Sequence, residues 1–163
     1  MKSLFASLFL VLSLSVSAGT LKEIPECKDF RGNIMNGSME QLKTVMRSSA
    51  ARPQVMATGV VSQVLPEDHD GLPHQKFTLT VDNQIKLLIV SNLDFGRIPL
   101  VVGKSVTVCG EYKRVGQGMI HWTHFDPHGG HPDGFTVVDG NLYGDTESTD
   151  PDAQRRQDER RRK

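Results

Sequence analysis

Cysteine, aromatic side chains and net charge are all scarce in this chain. It holds two cysteines, one tryptophan and two tyrosines in 163 residues. Two cysteines exclude a disulfide-dense scaffold, and no Cys-x-x-Cys pair is present to start a zinc ribbon. The 19 basic side chains are balanced by 19 acidic ones, which excludes a strongly basic nucleic-acid coat protein and an acidic decoy. Hydrophobic residues reach only 37%, enough for the modest core of one domain with a tail.

Long apolar runs are absent too, with one exception at residues 4–16. Lys2 precedes that run, and Val16-Ser17-Ala18 follows it with small residues where a signal peptidase cuts. The pattern predicts a secretory signal over 1–18. An N-terminal anchor is the alternative, but the run is shorter than the roughly 20 residues of a comfortable span. Cleavage would leave no transmembrane span and a periplasmic or secreted protein. Export would bring Cys27 and Cys109 into an oxidising setting. They would either bridge, pinning an N-terminal arm to the following domain, or remain two unpaired thiols. Spacing alone leaves both open.

Residues 19–53 read as an arm and a helix. Ser38 followed by Gln41 is a capping box, and Met39, Leu42, Val45 and Met46 form one helical stripe. The helix is expected over 39–50, ended by Arg52-Pro53. From Gln54 the period becomes two. Strands are expected at 55–65, bent at Gly59, at 74–81, at 85–89, at 105–113 and at 119–126. A short helical turn is expected in the interruption at 91–99, and a small hairpin around Asp139-Gly140. The fold class this implies is all-β with one N-terminal helix, a small five-stranded OB-like barrel over 54–143. A β-sandwich is the weaker alternative, because it needs about seven strands. Residues 144–163 are almost free of apolar side chains and read as a disordered charged tail.

What the chain does have is histidine in one place. All six lie between His69 and His131, and four fall in the stretch His121-Trp122-Thr123-His124-Phe125-Asp126-Pro127-His128-Gly129-Gly130-His131. Imidazole is the commonest metal ligand and a ready proton carrier. On a regular strand His124 and Asp126 share a face and His121 points the other way. The Gly129-Gly130 hinge would then return His128 or His131 to the same point. His124, Asp126, His128 and His131 are therefore the candidate ligands of a divalent transition metal such as zinc. His121 and His74 are candidate general acids or bases, and His74, beside the loop holding His69, is a further ligand or supporting partner. The bland alternative is a solvated His-rich loop. Gln75, Trp122 and Arg97 are the ligand-binding candidates. Trp122 would stack on a base or sugar, unless it is simply core. Arg97 and Arg114 would meet phosphate, but no basic stripe accompanies them, so nucleic acid is not the favoured partner.

Several of these residues carry a resemblance. His74-Gln75-Lys76-Phe77, Leu87-Leu88-Ile89, Arg97-Ile98-Pro99-Leu100, Gly103, Gly110-Glu111-Tyr112 and the block from His121 to Asp126-Pro127, continuing through Gly130-His131-Pro132 to Gly134, resemble a family of small exported bacterial proteins known as domain of unknown function 3465. The resemblance covers about residues 54–143. It departs from the family pattern at Lys76, where Arg is usual, at Phe125, where His is usual, and at Asp133, where Gly is usual. Cys109 replaces an aromatic residue, so a Cys27–Cys109 bridge would be peculiar to this chain. The resemblance implies export and no particular activity. Three functions follow as expectations. One is an exported binding module for a small ligand, glycan or protein, possessing or lacking a metal. The second is a metal-dependent hydrolase of the phosphodiesterase or nuclease class. The third is a structural interaction domain of the envelope.

Overall fold

The computed structural model describes residues 23–68, 71–145 and 151–162. The leader at 1–18 and His69 lie outside them. The arm folds back on itself where the Asp29 carboxylate accepts the N–H groups of Arg31 and Asn33, at 2.8 and 2.9 Å. Helix α1, Met39–Arg47, follows. Ser38 Oγ accepts the Gln41 N–H at 3.2 Å, as the capping box requires. Leu42 is buried, with Met39, Val45 and Met46 packed around it. The helix stops at Arg47, short of the expected residue 50. Ser48 turns extended, and its Oγ accepts the Ala50 N–H at 3.0 Å. A serine that offers the backbone a local partner competes with the next helical turn.

Strand β1, Gln54–Asp68, changes partner midway. Its first half pairs with β4, Ser105–Lys113, and its second half with β2, His74–Thr80. The changeover is at Val60, beside Gly59, where any Cβ would run into the Thr80 carbonyl oxygen. Strand β3, Lys86–Asn92, makes a hairpin with β2, and β5, Met119–His121, runs parallel to β3 and antiparallel to β4. The order β1-β2-β3-β5-β4-β1 closes a ring of five strands. Strands β6, Phe135–Val138, and β7, Asn141–Tyr143, extend the sheet from β4, making seven in all. The expected alternation holds on β2, where Gln75, Phe77 and Leu79 are buried. Phe77 and Leu79 form the main core with Leu87, Ile89, Val108 and Ile120.

A second cluster joins the arm to the hairpin. Cys27 and Cys109 are linked by a disulfide, their Cα atoms 5.7 Å apart, and pack with Met35 and Phe135.

Two expectations need correction. The last ring strand does not run to residue 126. It ends at His121, because Trp122 takes a left-handed backbone, φ 53°. The segment read as a disordered tail contains helix α2, Pro151–Arg161. Its composition offers little to bury, but Ala153 is fully buried and Arg156 reaches a buried carboxylate, Asp94, on the 3₁₀ turn Leu93–Phe95. No described helix is long and apolar enough to cross a membrane.

Candidate ligand cleft

At one end of the ring β2 begins with His74, β3 ends with Asn92 and β5 ends with His121. The chain leaves β5 through Trp122, whose left-handed backbone costs about 1–2 kcal/mol for a non-glycine residue. Neighbouring backbone holds it there. Gly134 lies so close that a Cβ would strike the Trp122 and Cys109 carbonyl oxygens. The Gly134 N–H donates to the His124 carbonyl at 2.9 Å, and the Phe125 N–H donates to Gly144 at 2.7 Å. The turn abolishes strand alternation, so side chains expected on opposite faces meet.

The result is a row of rings. His74 and His121 are 5.5 Å apart by centroids, His121 and Trp122 4.5 Å, Trp122 and His131 4.5 Å, and His131 and His124 4.8 Å. Phe95 closes the row, stacked on His124 at 3.9 Å and 15°. Most of these rings wall a cleft of about 1080 Å³, with Leu72, Phe125 and Pro127 adding apolar surface and Arg52, Asn92, Asp126 and Gln157 polar groups.

Burial dominates the electrostatics. His124 is only 7% exposed. Its Nδ1 faces the Phe125 carbonyl at 2.8 Å. A carbonyl only accepts, so Nδ1 carries the proton and Nε2 is left as an acceptor. That Nε2 is buried and has no hydrogen-bond partner. Burial pushes the pKa of His124 down to about 4 against the pull of its carbonyl bond, and burial together with the neighbouring His74 does the same at His121. Both imidazoles are neutral at pH 7. The His131 Nδ1 likewise donates to its neighbour, the Pro132 carbonyl, at 2.8 Å.

The four candidate metal ligands share a loop without forming a ligand set. Asp126 organises the loop instead. Its carboxylate accepts the N–H groups of His128 and His131, at 3.0 and 2.9 Å. Burial alone would raise its pKa, but these bonds outweigh it and hold the group below the ordinary carboxylate range. His131 Nε2 stands 3.8 Å from Asp126 Oδ2, while His128 is exposed. Among the described residues no three His, Cys, Asp or Glu side chains are grouped to hold one ion.

The ligand-binding candidates divide. Trp122 lines the cleft. Gln75 does not; it is buried, and its amide exchanges two 3.0 Å bonds with the Ile98 backbone, locking the 93–100 loop to β2. Arg97 pairs with Glu67. Of the acid–base candidates, His121 stands opposite Glu111 across the β4–β5 ladder, and His74 neighbours His121. Burial opposes the charge on Glu111, but Lys113 and Arg52, at 2.8 and 2.7 Å, hold its pKa below the usual range. Phe95, Asn92, Leu72 and Gln157 were not anticipated. Phe95 and Asn92 lie in the segment that reads as an interruption, Leu72 in a loop and Gln157 in the tail, and none carries a local signal for a shared cavity.

The model of a family described as a protein of unknown function (DUF3465) matches residues 30–144. The chain belongs to that family. The match is longer than the resemblance over 54–143 and takes in α1 and part of the arm. No curated protein and no solved structure matches the chain. In this DUF3465 protein the ring row lies wholly inside the matched span, whereas α2, which brings Gln157 to the cleft, lies beyond it.

Proposed function

We propose that the protein is an exported binding module, periplasmic or secreted, with an OB-like barrel and its ligand site in the cleft beside β5. The strand order β1-β2-β3-β5-β4-β1 supports the OB reading. The apolar leader supports export, and the Cys27–Cys109 disulfide fits an oxidising compartment. The observation that carries the site is His124, a neutral imidazole in an aromatic wall, with a buried Nε2 that lacks a partner. A buried acceptor without a donor is unfavourable by about 1–3 kcal/mol, and a ligand that supplies the donor recovers that energy. The ligand class is a neutral ring compound bearing hydroxyl or N–H donors, and a glycan is the first class to test. Aromatic rings would meet its apolar face, and the neutral imidazole would accept from its polar edge.

Trp122 is the sole tryptophan and lines the cleft, so its emission reports on this site alone. Titration with neutral oligosaccharides is expected to give a saturable change in emission that His124→Ala abolishes while the circular dichroism is retained. Unsaturable or absent changes across such a panel would overturn the reading. The metal-dependent hydrolase reading has less support, since Asp126 is engaged with loop amides. A zinc-dependent rise in Tm that disappears in His124→Ala would revive it.

A further inference from the structure

Helix α2 is an unusual neighbour for a binding cleft. Nearly every one of its side chains is polar, and Ala153 is wholly buried. A helix of 11 residues with no apolar stripe has little stability of its own. Two of its polar groups are aimed at one place on the domain. Arg156 Nε donates to Asp94 Oδ1 at 2.7 Å, and Gln157 Nε2 donates to the Asp94 carbonyl at 2.6 Å. The Asp94 side chain is 0% exposed and Arg156 only 28%, so this is a charge-assisted bond out of bulk water.

Asp94 is the middle residue of the 3₁₀ turn, and the residue that follows it is Phe95. Phe95 is the ring stacked on His124. The helix therefore grips the turn that presses an aromatic lid on the imidazole whose Nε2 has no partner. Gln157 meanwhile forms part of the cleft wall. The family match ends at residue 144, so the grip is applied from outside the span the family shares.

We propose that α2 is a latch: with Arg156 on Asp94 the turn is held and His124 is covered, and release of α2 lets Phe95 swing off and opens the imidazole to ligand. Losing the guanidinium leaves a buried carboxylate with less compensation, and the relaxation open to it is movement of the turn toward water. The purpose of the latch rests on the binding reading above, but its operation does not and is measured without any ligand.

The test uses the oxidised full-length chain and two arginine variants. Arg156→Ala removes the grip. Arg155→Ala is the control, because among the described residues Arg155 pairs within α2, with Asp152 and Glu159, and is 64% exposed. Diethyl pyrocarbonate labels accessible neutral imidazoles, and mass spectrometry gives the rate at His124 relative to the exposed His128. The expected result is a rise in that ratio of about tenfold in Arg156→Ala, as local opening becomes favourable, with Arg155→Ala at the wild-type value and Trp122 more readily quenched by acrylamide in Arg156→Ala only. An unchanged ratio in Arg156→Ala, or an equal rise in both variants, overturns the latch. A melting temperature close to wild type shows that the ring is intact in each protein. If the oligosaccharide titration fails while this ratio rises, the latch stands and the ligand class falls.

Discussion

Trp122 keeps a backbone conformation that suits glycine, and it does so because its surroundings leave no other path. Gly134 is the clearest part of that constraint. Gly134→Ala would drive a methyl group into the Trp122 and Cys109 carbonyl oxygens, so we expect a loss of about 3 kcal/mol or more in urea unfolding, beyond ordinary overpacking. The buried imidazoles give a second residue-level expectation. An unfolded histidine titrates near 6.5, whereas burial lowers His124 and His121 to about 4. Between those values the unfolded chain binds more protons. Stability is therefore complete above about pH 6.5 and falls as the pH drops toward 4. For the deeply buried His124 the loss is on the order of 2–3 kcal/mol. Urea midpoints from pH 7 to pH 4 should show this decline, and His124→Gln should flatten it. Asp126 and Glu111, whose pKa values lie below the usual carboxylate range, begin to lose their contribution only below about pH 5, so they steepen the lower end of this window and the decline above it belongs to the histidines. The histidine cluster was legible as a cluster. Its geometry was not, because a bulky residue in a left-handed turn carries no signature in the sequence, and alternation was carried one turn too far.

At the level of elements, what could be read was whatever has one wet and one dry side. The β2 alternation through Phe77 and Leu79, the α1 stripe around Leu42 and the Ser38 cap all reflect such sidedness. Gln75 shares that same inward phase, and the sequence alone makes it a candidate ligand contact. In the fold it works as a clamp, substituting for one rung of a ladder between β2 and Ile98. Gln75→Ala should strand the Ile98 N–H, while the Ile98 carbonyl keeps the Leu100 N–H, and lower stability by about 1–3 kcal/mol, with faster hydrogen exchange confined to 96–100. Helix α2 was illegible for the opposite reason. It has no apolar stripe, and it docks through polar contacts such as the Arg156–Asp94 ion pair, between residues 62 apart in sequence.

Across the whole molecule the disulfide joins positions 82 residues apart. On chain-entropy grounds its removal in a Cys27→Ala, Cys109→Ala double variant should lower the unfolding free energy by up to about 4–5 kcal/mol. Calorimetry of that variant against the oxidised wild type checks this. An unchanged Tm would mean that the arm is tied down by its other contacts alone. The bridge also has a place in the order of assembly. Cys109 stands directly across from Met56 in the β1–β4 ladder, the pairing that closes the ring. Closure is the most distant pairing in the ring, with Gln54 meeting Glu111, and such long-range pairings come slowly. A chain already riveted at Cys27 travels about half the contour to zip that seam, an advantage of roughly 0.6 kcal/mol in loop entropy. Refolding with the rivet in place should therefore outpace refolding of the reduced chain by about threefold, which makes the thiol chemistry of the surrounding compartment a governor of how quickly the ring shuts.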